Sequence, residues 1–186
     1  GKYGVLTLHR PSNVDCFDKL QSLFLALNDI AARIPIIFPA HPRTAAKLKQ
    51  LNIHPGIHIT EPCSYLHFLG LVANCAFALT DSGGIQEETT VLRVPCLTLR
   101  ENTERPITCE IGTNILAGTD PDRIRTEAFA ILNGTVRSGQ VPDKWDGHAG
   151  ERIANIILRA NNFEERMPMP EVTAESRWAK CVTLAI

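Results

Sequence analysis

Short apolar runs punctuate the chain at residues 4–8, 35–38, 57–60, 76–80, 95–99 and 113–117. Each is too continuous for a strand with one wet face, which predicts strands buried on both faces. Between the runs the spacing turns helical. Leu20, Phe24, Leu27 and Ile30/Ala31 follow helical periodicity, as do Tyr65, Phe68/Leu69 and Val72. Further helices are expected over residues 44–51, 83–92, 121–132 and 150–160, the last with Ile153 and Ile156/Ile157 on one face. Such alternation is the signature of βαβ units. The predicted fold is therefore α/β, a doubly wound Rossmann-like parallel sheet with helices on both faces. Beyond Asn161 the chain becomes polar and irregular around Met167-Pro168-Met169-Pro170, so residues 161–186 read as a tail with no assigned role.

In open sheets of this kind, ligands bind outside the carboxyl ends of the strands, and the loops after them carry the unusual residues. His9-Arg10-Pro11-Ser12-Asn13 follows the first run, and Pro39-Ala40-His41-Pro42-Arg43 the second. Either His/Arg pair alone is compatible with a solvated loop; two at equivalent ends of successive strands are harder to dismiss than either alone. After residues 76–80 comes Asp81-Ser82-Gly83-Gly84-Ile85-Gln86-Glu87-Glu88. Ser82 is placed to cap a helix, and Gly83 and Gly84 lack the Cβ atoms that would keep a phosphate from the N–H groups of the first turn. Glu88 lies one turn below Gly84 on the same face, where its carboxylate can accept ribose hydroxyls. A capped helix with an acidic first turn explains Ser82 and the glutamates, but not two glycines that cost about 1 kcal/mol each within a helix.

Arg100-Glu101-Asn102-Thr103-Glu104-Arg105-Pro106 leads into a proline able to start another helix. Arg105 is the candidate for a bidentate hold on phosphate, with ion pairing to Glu101 or Glu104 as the alternative. Tyr65 fits a core position at helical spacing, whereas Phe68 suits the apolar face a base requires. His54, His58, His67 and His148 are assigned structural or surface places, and the histidine spacing offers no metal site.

Composition narrows the setting. A chain of 186 residues, 44% hydrophobic and 21% charged, fits one ordinary globular domain. A net charge of −1 argues against a general nucleic-acid or anionic-membrane surface. The six cysteines include no C-x-x-C pair, and Cys75 and Cys96 sit in apolar runs, so reduced, mostly buried thiols and a cytoplasmic location are expected. Opening at Gly1-Lys2 almost directly on a strand, the sequence reads as a piece of something longer.

The block from Asp81 to Glu88, followed by Thr103-Glu104-Arg105-Pro106, closely resembles the non-hydrolysing UDP-N-acetylglucosamine 2-epimerases. Leu8-His9-Arg10-Pro11-Ser12-Asn13, Pro39-Ala40-His41-Pro42-Arg43 and Trp145-Asp146-Gly147-His148-Ala149-Gly150-Glu151-Arg152-Ile153 look like further blocks of that family, in the same order. The resemblance covers residues 1 to about 160. One departure is Ile107, where many relatives carry Glu.

The resemblance implies a GT-B architecture of two Rossmann-like domains, of which residues 1–160 are the second, with the N-terminal domain absent. His9 and Arg105, assigned as catalytic, would contact the diphosphate region together with Arg10. Ser82, Gly83 and Gly84 would bind phosphate, Glu88 the ribose and Phe68 the uracil, while His41 would line the cleft. The reaction implied interconverts UDP-GlcNAc and UDP-ManNAc by anti elimination and re-addition of UDP, with neither NAD nor a metal. A homodimer of the full-length enzyme and a role in cell-envelope polysaccharide synthesis belong to the same expectation. A UDP-sugar glycosyltransferase domain, or a non-catalytic UDP-sugar-binding module, remain alternatives, as does a hydrolysing epimerase.

Overall fold

The computed structural model describes residues 3–135 and 139–160, which divide into two compact units between Asp143 and Lys144. The predicted tail, residues 161–186, and Cys181 lie outside the described residues.

The first unit contains β1 (Gly4–Thr7), β2 (Ile36–Pro39), β3 (Ile57–Thr60), β4 (Phe77–Thr80), β5 (Cys96–Thr98) and β6 (Asn114–Leu116). All neighbouring strands are parallel, in the order β3-β2-β1-β4-β5-β6. The helices of this unit are α1 (Pro11–Val14), α2 (Phe17–Ala31), α3 (Pro42–Leu48), α4 (Tyr65–Asn74), α5 (Gly83–Leu92) and α6 (Pro106–Glu110) between strands, and α7 (Pro121–Leu132) after β6. The doubly wound parallel sheet expected from the apolar runs is therefore present. Its strand order reverses between β1 and β4, the position where such sheets open a ligand crevice.

Alternation along each strand sends side chains to two unlike cores. On one side Leu6, Phe77, Leu79 and Leu97 join Leu20, Phe24 and Leu27 of α2 and Ile124 and Ala128 of α7. A smaller cluster contains Val5, Val72, Cys75 and Val94. Under α5 the buried layer becomes polar: Thr80, Thr98 and Asn114 from the sheet, and Gln86, Thr89 and Thr90 from the helix, are all 0% exposed. These groups bond to one another and to backbone carbonyls, as polar atoms removed from water must.

Pro121 starts one helix and Gly83-Gly84 another, so Pro121–Leu132 and Gly83–Leu92 agree with expectation. The third helix starts earlier than the predicted 44–51, because Pro42 occupies its first turn and His41 takes the N-cap, accepting from Arg43 N at 3.3 Å.

Other expectations are corrected. β3 is not buried on both faces: it forms the sheet edge, and Ile59 is exposed. Tyr65 is no core residue; it lies in the first turn of α4, 61% exposed. Of the five described cysteines, all unbridged, only Cys75 and Cys96 are buried, and Cys16 and Cys63 are exposed. Burial pushes both buried thiols up to about 12.

In the second unit the predicted last helix is α8 (Ala149–Ala160). Asp146 receives Arg152 at 2.6 Å and the backbone N–H of His148 at 3.1 Å just before and within its first turn.

Phe77 is fully buried on central strand β4. Phe77→Ala is expected to lower unfolding free energy by about 3–5 kcal/mol, read from urea titration as a lower midpoint with an unchanged slope.

Candidate functional site

The loops after β1 and β4 leave adjacent strands, and one buried carboxylate ties them together. Asp81, 0% exposed, accepts the backbone N–H of His9 at 3.2 Å and of Arg10 at 3.0 Å, and the side-chain amide of Asn13 at 3.2 Å. It also pairs with His9 Nδ1 at 2.8 Å. Arg10 Nε returns a bond to the Asp81 carbonyl, and Asn13 extends to the Leu99 carbonyl after β5. Three strand ends are thereby held in one network. Burial alone would raise the Asp81 carboxyl, but the bond from His9 and the surrounding N–H donors outweigh it and hold it below its ordinary value. Chiefly through that hydrogen bond, the His9 imidazole is raised.

Beside this network α5 begins. Ser82 occupies its N-cap, as predicted, yet its hydroxyl makes no capping bond, and no acidic residue lies in the first turn. A Cβ on Gly83 would stand 3.9 Å from Glu104 Oε2, and one on Gly84 4.0 Å from Ser82 Oγ. No protein neighbour therefore excludes a side chain at either position. What the glycines provide is access to a helix start where backbone N–H groups face outward, an arrangement suited to an anion.

Cationic groups stand around this start, each beside a carboxylate. Arg100 holds Glu104 through two bonds of 2.9 and 2.8 Å, with Arg10 Nη2 at 3.6 Å from the same carboxylate. The Arg100 bonds push the Glu104 carboxyl down to about 2. Arg105 pairs with neither Glu101 nor Glu104 through its side-chain charge; its Nε meets Glu87 Oε1 at 2.8 Å. Glu101 is occupied by Thr119, whose N–H and hydroxyl both donate to it.

Phe68, His9 and Ser82 share a cavity of about 240 Å³ with Thr7, Pro39 and Ile85. His41 borders an adjoining hollow with His9 and Arg43. Glu88 turns towards Tyr65, whose hydroxyl donates to Oε1 at 3.2 Å, while Oε2 is buried without a hydrogen-bond partner among the described residues. Burial raises the Glu88 carboxyl, aided by the charge of Glu87 and opposed by the Tyr65 bond. The structure thus gathers His9, Phe68 and Ser82 around one cavity and sets Gly83, Gly84, Arg10 and Arg105 about the helix start. Asp81, Asn13 and Glu87 are site residues that the sequence pattern does not single out, since their partners lie on other elements, and Arg100 is another, although its partner Glu104 is four residues along the same loop. Among the described residues, no cluster of three or more His, Cys, Asp or Glu is gathered for a metal ion, and no helix is long and apolar enough to cross a membrane.

Compared with known proteins, the family model for UDP-N-acetylglucosamine 2-epimerase matches residues 1–158. A UDP-N-acetylglucosamine 2-epimerase of Methanococcus maripaludis is 44% identical over 90% of this chain and 46% of its own length. A UDP-2,3-diacetamido-2,3-dideoxy-D-glucuronate 2-epimerase of Pseudomonas aeruginosa is 35% identical over 82% of this chain and 43% of its own length. Among solved structures, the Methanocaldococcus jannaschii UDP-GlcNAc 2-epimerase in complex with UDP-GlcNAc and UDP superposes with a TM-score of 0.75 at 41% identity, covering 84% of this chain and 45% of that one. The chain spans about half the length of the curated relatives it matches.

The His9–Asp81 pair has a signed pH consequence. The raised imidazole contributes stability that is complete below its unfolded value and lost as pH rises through the folded value. The lowered carboxyl contributes stability present above its unfolded value and lost as pH falls through the folded one. The pair is thus fully stabilising between the unfolded value of the carboxyl and the unfolded value of the imidazole, and weakens on either side. In Asp81→Asn, the His9 ring titration followed by NMR is expected to move down towards that of a free imidazole. An unmoved midpoint would show that Asp81 is not the cause.

Proposed function

The chain belongs to the UDP-N-acetylglucosamine 2-epimerase family, and from that membership we propose that residues 1–160 are the UDP-gripping, C-terminal domain of a two-domain enzyme interconverting UDP-GlcNAc and UDP-ManNAc. One observation carries the reading: a helix start with two unobstructed glycines and no side-chain cap, ringed by His9, Arg10 and Arg105. Ser82, Gly83 and Gly84 take the diphosphate there. Glu88, one turn along, accepts the ribose hydroxyls; Phe68 lies against the uracil in the cavity it shares with His9, and His41 faces the sugar side.

In this proposal a base from the other half of the enzyme removes the C2 proton. The electron pair of that C–H bond forms the C1–C2 double bond as the C1–O bond breaks and its pair leaves with UDP. A proton then reaches the opposite face of C2, and the UDP oxygen re-forms its bond to C1. Every bond broken is replaced, and no net oxidation occurs, so the scheme calls on no hydride acceptor. UDP is both leaving group and returning nucleophile and must be retained while the glycal exists. His9 and Arg105 act here by stabilising negative charge on the departing diphosphate.

The choice of N-acetylglucosamine rests on the higher identity to relatives named for it, since the Pseudomonas relative is named for another UDP-sugar. The cytoplasmic location, the homodimer and a use in cell-envelope polysaccharide synthesis are proposed with the family resemblance as their support. Assaying the two-domain enzyme with UDP-GlcNAc and no acceptor separates an epimerase from a glycosyltransferase, which requires one.

Two outcomes are expected. Glu88→Gln weakens UDP binding by calorimetry about tenfold, the cost of a charge-assisted hydrogen bond, while leaving inorganic pyrophosphate unchanged. Equal losses for both ligands would remove the ribose role. Alone, the 186-residue chain produces no UDP-ManNAc detectable by NMR above a protein-free control; turnover would place the proton-transfer groups within it.

A further inference from the structure

Arg105 occupies a three-way junction between a surface loop, the first turn of α6 and the start of α5. Its side chain is 44% exposed, but its backbone is held on both sides by threonine hydroxyls. The Arg105 N–H donates to Thr103 Oγ1 at 2.9 Å, and its carbonyl accepts from Thr108 Oγ1 at 2.7 Å. Neither hydroxyl is left to solvent for its remaining bond. Thr103 donates onward to Gln86 Oε1 at 2.5 Å, and Thr108 accepts from Asn114 Nδ2 at 3.1 Å. Asn114 Nδ2 also reaches Gln86 Oε1 at 3.2 Å. The bonds close a ring: Gln86, Thr103, the Arg105 backbone, Thr108, Asn114 and Gln86 again.

Gln86 and Asn114 are both 0% exposed, which makes the ring costly to open, since an unpaired buried amide forfeits its hydration without replacement. The remaining bond of Gln86 decides what the ring is for. Its Nε2 donates to the carbonyl of Ser82 at 3.1 Å, the N-cap residue of α5. One buried side chain therefore touches both the anion-facing helix start and the loop that carries Arg105. Arg105 follows the helix start as a unit, and its guanidinium can leave Glu87 by side-chain rotation alone.

We infer that Thr103 and Gln86 are positioning residues that set Arg105 against the diphosphate end of the ligand, without touching the ligand themselves. The inference rests on the phosphate role proposed for Arg105 and adds to it the means by which that role is built. A bulk-packing role for Thr103 predicts something different: the loss on removing its hydroxyl would not depend on whether Arg105 is present.

The test is a double-mutant cycle on the 186-residue chain, reading calorimetric affinities for UDP and for inorganic pyrophosphate, with far-UV circular dichroism to check folding. Thr103→Val, which keeps the shape and removes the hydroxyl, is expected to weaken both ligands by the same factor, about threefold to tenfold. Thr103→Ser, which restores the hydroxyl, recovers most of that loss. In an Arg105→Ala background, Thr103→Val costs nothing further. An undiminished effect in that background overturns the inference, as does a Thr103→Val chain that binds normally while Arg105→Ala binds weakly. If Arg105→Ala itself loses no affinity for either ligand, the inference falls because Arg105 has no phosphate to be set against. Failure of the wild-type chain to bind UDP at all would instead overturn the nucleotide reading from which the inference starts.

Discussion

Asp81 keeps a charge where none of its surface meets water, and the arrangement of the crevice follows from how that charge is satisfied. A buried carboxylate without donors would abandon its charge or the fold. Here the donors come from the loop after β1, through the His9 and Arg10 N–H groups, the Asn13 amide and the His9 ring. Meeting the demand of one residue on β4's loop therefore fixes the course of β1's loop, starts α1, and reaches β5's end through Asn13 and Leu99. The α5 helix start lies one residue away, so the cationic loop and the anion-facing helix end share a single anchor.

The two faces of the sheet divide the labour. Under α2 and α7 the contact is leucine, isoleucine and phenylalanine, non-directional and strongly stabilising. Under α5 it is threonine, asparagine and glutamine, which gain little net energy from exchanging water for one another but accept only certain geometries. A helix that slides on an apolar surface loses little; one keyed by Gln86 to Asn114 and Thr103 loses buried hydrogen bonds. Helix α5, whose start is the proposed phosphate site, rests on the directional layer.

Much of this was legible in the sequence. Apolar runs located the six strands to within about two residues, because parallel strands covered by helices carry continuous hydrophobic stretches. Glycine and proline gave the starts of α5 and α7. The exposure of β3 was not legible, since periodicity reports that a strand is apolar and not which strand closes the sheet. The helices α1 and α6, four and five residues long, are too short to show a period, although Pro106 signalled the start of the second. Asp81 was visible only as a motif letter: its importance depends on β1 and β4 being neighbours although His9 stands 72 positions earlier. Tyr65 was misplaced in the core for the same reason, because its hydroxyl answers to Glu88 on the next helix rather than to the spacing on its own.

Five of the cations near the helix start share a further trait: each stands beside a carboxylate. His9 rests on Asp81, Arg10 and Arg100 on Glu104, Arg105 on Glu87, and Arg43 on Asp15. An entering anion does not fall into bare positive potential; it must outcompete resident carboxylates for their own partners. Where each cation is already paired, long-range attraction of a simple anion has little net charge to act on. On the nucleotide reading proposed above, the ligand the crevice would reward is one with two linked phosphates and a diol, which can recruit several of these partners at once. Discrimination, more than raw attraction, is what a site of mutually neutralised charges supplies.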